Sequence, residues 1–322
     1  MIRYELAGMD LADVRFAVSP LNELALSLRT WRDPGRYPLH LPWLRDVHAA
    51  RADLDDEVLL ALTNTHLWTP DFLTPRPRSP LTRIEDELEG VRAVPADVVA
   101  HDLAVVHPGG DLPPALRGPV PAVQERIVDT LEAYWEHCFA GSWLRMRTLL
   151  EADVMHRGRE MASRGLAAMF AGLAERISFA DGVVSLRLTS PVSYTRSTTG
   201  DGLTLVPTLF TRGASGPISS TQPPLIMYGA RGLGTLWEPA RTPTPAALTA
   251  LVGAVRAGLL VQLATPASST ELAARAGVTP AAVNQHLRAL RAAGLLTSSR
   301  YGRSVLYRRS DLGDHLLAGG IR

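Results

Sequence analysis

The stretch Thr279–Leu296 reads TPAAVNQHLRALRAAGLL, and three of its side chains suit one kind of chemistry. Asn284 and Gln285 each hold an amide donor beside an amide acceptor, and Arg288 holds a planar fork of donors. Such amides pair with the N6 and N7 edge of adenine, and a guanidinium pairs with O6 and N7 of guanine. The chemistry on offer is the reading of base edges. At about 100° per residue, Val283, Leu287, Leu290 and Gly294 share roughly 60° of one helix face and form an apolar stripe. Ala281, Gln285, Arg288 and Ala292 point the opposite way, with Asn284 on the shoulder. His286 falls nearer the stripe, where it is expected to be partly buried. Ala281 is small enough for close approach, and Thr279 with the free N–H groups of the helix start suits a phosphate. Alone, this polar face reads first as that of a solvated helix, so the surrounding elements decide.

Those elements are explicit. Ser268 and Glu271 have the Ser-x-x-Glu spacing of a capping box, and Gly277 stands where a helix should stop. Thr279 is an N-cap residue followed by Pro280 at the first helical position. Two short helices around a tight glycine turn form a helix-turn-helix. Beyond Gly294, Leu295–Ser299 and Ser304–Arg308 can pair as strands around Arg300-Tyr301-Gly302-Arg303, a two-stranded ribbon with arginines at its tip.

The segment VTPAAVNQHLRALRAAGLLTSSRYGRSVLYR resembles the winged-helix domain of the ArsR/SmtB-type transcriptional regulators. His286, Leu287, Leu290, Ala293, Gly294, Leu295, Gly302, Arg303 and Tyr307 carry the match, over the last quarter of the chain. Asn284 stands where the family usually has serine, which puts its base preference in doubt. The resemblance implies a homodimer on double-stranded DNA, a recognition helix in the major groove, and a wing placing Arg300 and Arg303 on the backbone or minor groove. Metal-sensing members carry a Cys-x-Cys site in the first helix of the motif, or paired Asp and His ligands on a terminal helix. Glu271–Gly277 has no cysteine and the tail only Asp311, Asp314 and His315, so no metal site and no cofactor is expected.

Charge agrees with this division of labour. From Arg241 onward there are ten arginines against Glu271, Asp311 and Asp314, although the whole chain of 322 residues is only +1. A basic terminal segment beside an acidic body suggests a polyanion-binding module joined to something else. Three prolines between Pro239 and Pro245 mark a connector. The expected fold class is therefore α+β, mainly helical. A helical N-terminal domain with a small antiparallel sheet (1–238) would precede a Pro-rich linker (239–246) and a C-terminal winged helix-turn-helix (247–322).

In the first domain, Pro20–Trp31, Asp55–Leu67, Pro121–Phe139 and Ser142–Ile177 have helical spacing, the last two broken near Gly141 and Gly158. Arg3–Ala7, Val14–Val18, Val183–Leu188, Leu203–Phe210 and Leu225–Ala230 read as strands. Thr244–Ala264 reads as one helix leading into the helix-turn-helix. Catalytic constellations are weak. His137 and Cys138 are adjacent on a helix and so diverge. Asp153 and His156 share a face but are only two ligands. The Gly229–Gly234 stretch lacks the spacing of a phosphate-binding loop. An enzyme is not expected; the alternative is an enzyme or protein-interaction module in 1–238 with the winged helix as a tether. Tyr134, Trp135, Phe139 and Trp143 cluster by sequence and could line an apolar pocket for a small-molecule effector. The single cysteine excludes an intrachain disulfide, and the first twenty residues have no continuous apolar run. No membrane partner is expected and the simplest location is the cytoplasm.

Overall fold

The computed structural model describes residues 1–6, 13–80, 82–188, 191–237, 245–301 and 304–318. The chain divides into two compact units, Met1–Trp237 and Glu238–Arg322.

The first unit begins with β1 (Ile2–Glu5) and β2 (Val14–Phe16), followed by the helices α1 (Pro20–Arg32), α2 (Leu41–Asp46), α3 (His48–Arg51), α4 (Asp56–Ala61), α5 (Ile84–Arg92) and α6 (Ala96–Val106). Then come α7 (Val120–Tyr134), α8 (Ala140–Arg164) and α9 (Leu166–Leu173). Six strands close the unit: β3 (Ile177–Ala180), β4 (Val183–Leu186), β5 (Tyr194–Ser197), β6 (Leu203–Thr208), β7 (Ala214–Ser215) and β8 (Leu225–Gly229).

Local chemistry sets many of these boundaries. Ser19 caps α1 by accepting the Asn22 N–H, with Pro20 at its first position. A π-helical turn over Trp135–Phe139 joins α7 to α8, and α8 runs through both Gly141 and Gly158 without a break. The break falls instead at Gly165, whose φ of 85° no other residue adopts readily. The helix expected over Asp55–Leu67 stops at Ala61, because Asn64 Oδ1 takes the N–H groups of His66 and Trp68, both at 2.9 Å.

The class is α+β and mainly helical, but the sheet content differs from one small antiparallel sheet. There are two four-stranded mixed sheets, in the orders β3-β4-β1-β5 and β2-β6-β8-β7. β1 lies antiparallel to β4 and parallel to β5, while β6 lies parallel to both β2 and β8. Local turn signals cannot announce parallel partners nearly two hundred residues apart. All six residues of β6 are buried, because both faces of its sheet are covered. Val206, Leu225 and Met227 pack into the helical core, while Leu203, Leu205, Ile226 and Tyr228 face the other sheet. The order of layers is therefore helices, sheet, sheet. Tyr4 OH crosses between the sheets to Leu225 O at 3.3 Å, and Tyr228 OH reaches Asp153 Oδ2 on α8 at 2.9 Å.

The second unit contains α10 (Pro245–Val252), α11 (Ala254–Gln262), β9 (Ala267–Ser268), α12 (Ser269–Ala276), α13 (Pro280–Ala292), β10 (Leu296–Tyr301), β11 (Ser304–Arg309) and α14 (Asp311–Ala318). The single helix expected over Thr244–Ala264 is two, parted at Gly253 with φ 87°. Thr244 itself lies outside the described residues, as does the linker up to that point. A three-stranded antiparallel sheet, β10-β11-β9, joins the helices around one core that includes Leu260, Leu272, Val283, Leu287 and Leu296. α14 passes so close to the chain before β10 that a Cβ on Gly313 would stand 2.3 Å from Leu295 O.

Candidate nucleic-acid interface

Two capped helices position the candidate residues. Ser268 Oγ accepts the Glu271 N–H at 3.2 Å, and Glu271 Oε2 accepts the Ser268 N–H at 2.6 Å, closing the capping box that starts α12. These bonds hold the Glu271 carboxyl below its usual range. Gly277 ends α12 in the left-handed region at φ 66°, and the Val278 N–H returns to Ala273 O at 3.1 Å. Thr279 Oγ1 then accepts the Ala282 N–H at 3.4 Å and starts α13. Accepting that bond leaves the Thr279 hydroxyl proton free to donate outward.

α13 presents the faces its spacing requires. Val283, Leu287 and Leu290 are buried, while Ala281, Gln285, Arg288 and Ala292 are exposed. Asn284 is half-buried, so Gln285 is the more available of the two amides. His286 is also half-buried, and its Nδ1 is shut from solvent without a hydrogen-bond partner.

The ribbon follows α13 directly. β10 and β11 pair antiparallel from Leu296↔Arg309 to Tyr301↔Ser304. Arg300 is exposed near the end of β10. Arg303 lies outside the described residues. β11 also pairs with β9 at Leu306↔Ser268 and Tyr307↔Ala267, so the ribbon is anchored at the start of α12. Arg291 is exposed but partly committed, since Nη1 donates to Ser298 Oγ on β10 at 3.1 Å.

Two further arginines of the second unit are exposed and escaped the sequence reading. Arg308 is exposed on β11 and steadied by Thr297 Oγ1 at 3.1 Å; Arg275 is exposed in the last turn of α12. The charge count contained both, but only the strand register and helix face show that they are presented. Arg309 differs, because Asp314 pairs with its Nε at 2.6 Å.

The other candidates are in the first unit. Tyr134 and Phe139 are fully buried and pack in a ring cluster with Trp43 and Phe210; Trp135 and Trp143 meet edge to face at 5.3 Å. These rings are packed against each other, and the cavity described below has other walls. Cys138 is buried, which pushes its thiol up to about 11, whereas His137 is exposed and donates from Nδ1 to Ala133 O at 2.8 Å. Asp153 is buried beneath Tyr228 OH and the Arg231 N–H, and the exposed His156 contacts Arg231 Nη1. Among the described residues, no three His, Cys, Asp or Glu side chains form a metal-ligand group, and no helix is long and apolar enough to cross a membrane.

Comparison with known families agrees with the geometry at the C-terminus. Residues 254–299 match a family described as a helix-turn-helix domain. Residues 115–214 match a separate family of unknown function, DUF5937. No curated protein and no solved structure matches the chain significantly. The C-terminal match bears out the reading of a helix-turn-helix domain in the last quarter of the chain, separate from the segment that matches the family of unknown function.

Proposed function

We propose that this chain is a sequence-specific transcriptional regulator that binds an inverted-repeat operator as a homodimer and represses transcription by occupying it. The observation that carries the reading is the exposed Gln285–Arg288 face of α13, whose opposite face is locked into the helix-turn-helix core. In this reading the front of α13 enters the major groove, Gln285 and Asn284 meet base edges, and Ala281 permits the approach. Arg288, Arg291, Arg300 and Arg303 add affinity through phosphates, and the Thr279 hydroxyl donates to one at the helix start.

A second copy of the chain has a surface to meet. Leu251, Val255 and Leu312, on α10, α11 and α14, are 73%, 57% and 57% exposed, and α11 packs against both other helices. Apolar side chains so exposed on neighbouring helices support a dimer contact. The first unit would strengthen the dimer and sense a small molecule. Cys138, Asp153 and His137 are engaged in structural contacts, which supports a binding protein over an enzyme.

Selection of binding sites from random duplexes by the full-length chain tests this. The reading expects one enriched inverted repeat, with half-sites about one helical turn (~10 bp) apart. Enrichment of no sequence would overturn it and point to a tether or protein-interaction role for the winged helix.

A further inference from the structure

The first unit contains a cavity of about 570 Å³ between the last turn of α1, residues 66–74 and residues 211–218. That volume lies within the ~300–1,000 Å³ typical of sites that enclose small organic molecules. We propose that this cavity binds a small amphipathic oxyanion, a carboxylate or phosphate monoester carried on an aromatic or branched apolar body.

Its charge is one-sided. Arg29, Arg36, Arg176 and Arg212 line it, and among the described residues Arg36 alone of the four has an ion pair, with Asp33 at 3.2 Å. Asp71 is the one acidic side chain on the wall, and it is already engaged. Its Oδ1 accepts the Ile218 N–H at 2.9 Å and its Oδ2 the Ser219 N–H at 2.8 Å. Arg29 is the innermost cation. Its Nη1 donates to Thr211 Oγ1 at 3.0 Å, while its Nε is shut from solvent with no partner. Burial lowers its pKa, the sign of a guanidinium whose charge is not compensated nearby. A buried charge of this kind is stabilised by an anion that pairs with it. Thr69 Oγ1 and Ser215 Oγ on the same wall are also buried without partners, so hydrogen-bonding capacity remains unused there.

The lining also has apolar side chains, Trp68, Leu188, Val192 and Met227. Trp68 is placed there by a strained loop. Leu67 has φ 62°, in the left-handed region that a leucine avoids. Asn64 enforces it, accepting the N–H groups of His66 and Trp68 and donating from Nδ2 to Val106 O at 2.7 Å. Backbone strain held this firmly collects at binding sites. Here it sets His66 and Trp68 in the cavity lining together with the arginines.

The test is calorimetric titration of the full-length chain, without DNA, with benzoate, phenyl phosphate, inorganic phosphate and the neutral benzamide. Arg176→Gln and Arg212→Gln serve as variants, since both side chains are exposed. The expected result is a Kd below ~1 mM for benzoate or phenyl phosphate, at least fivefold weaker in each variant with Tm unchanged. The tighter of the two identifies the head group. Three results would overturn the proposal: no binding of either organic anion at ~10 mM, binding that both variants leave unchanged, or benzamide or inorganic phosphate binding equally well. Because DNA is absent, this result is independent of the operator reading; only a regulatory use of the anion rests on that reading.

Discussion

Arg291 on α13 donates from Nη1 to Ser298 Oγ on β10 at 3.1 Å, so α13 and the β10–β11 ribbon are tied on their exposed side. An exposed bond of this type stabilises by about 1 kcal/mol at most. Ser298→Ala should therefore leave stability and DNA affinity almost unchanged. Arg291→Ala should weaken binding to all sequences alike and reduce the slope of log affinity against log salt by about one. Measurement of that slope separates the roles: an unchanged slope would make Arg291 only a link to the wing.

Gln285 is exposed, and among the described residues its side chain has no hydrogen bond that would have to break on binding DNA. Gln285→Ala should cost about 1–3 kcal/mol of specific affinity and relax base choice at one operator position. Site selection with the variant checks this, and an unchanged preference at every position would remove Gln285 from direct readout. Arg300→Ala and Arg303→Ala should weaken all sequences uniformly.

The capping box of α12 supports α13 from behind. Ser268→Ala removes the acceptor of the Glu271 N–H and should destabilise the second unit by about 1 kcal/mol. Thermal unfolding followed by circular dichroism reads the loss. Restoration of Tm by Ser268→Asp, which also caps, would assign the loss to the cap.

Stability of the first unit should fall as pH rises. Burial raises the carboxyl of Glu23 from an ordinary 4.5 to about 8 and that of Glu87 to about 7. A carboxyl with a raised folded pKa stabilises fully below its unfolded value and loses that contribution as pH climbs through the folded one. The window is therefore from ~4.5 to ~8. Burial acts oppositely on His40, lowered to about 4, whose contribution is lost as pH falls from ~6.5. From ~4.5 to ~6.5 the two carboxyls outweigh the one histidine, so Tm should be highest near pH ~4 to 4.5 and decline above it. Glu23→Gln, which mimics the neutral acid, should flatten the alkaline decline; a decline of unchanged steepness would show that Glu23 does not carry it.

The second unit was largely legible in the sequence because its signals are local. Ser268, Glu271, Gly277, Thr279 and Pro280 each act within one helical turn, and the apolar period of Val283, Leu287 and Leu290 fixes which face is left outside. What local signals did not show was β9, two residues long and defined only by its pairing with β11. The first unit was legible in its helices and opaque in its sheets. β6 reads as a continuous apolar run because it is covered on both faces, and its parallel partners come from opposite ends of the unit. The aromatic cluster around Tyr134 was visible, but adjacency in sequence does not distinguish a packed core from a cavity wall. The arginine-lined cavity was invisible for the same reason: Arg29, Arg176 and Arg212 meet only through the tertiary fold.

The most direct measurement of the central claim is capture of sheared genomic DNA from the source organism by the full-length protein at two salt concentrations, followed by sequencing. The account predicts a few strongly enriched fragments that share an inverted repeat and persist at the higher salt. Diffuse capture that the higher salt erases, with no shared sequence, would contradict it.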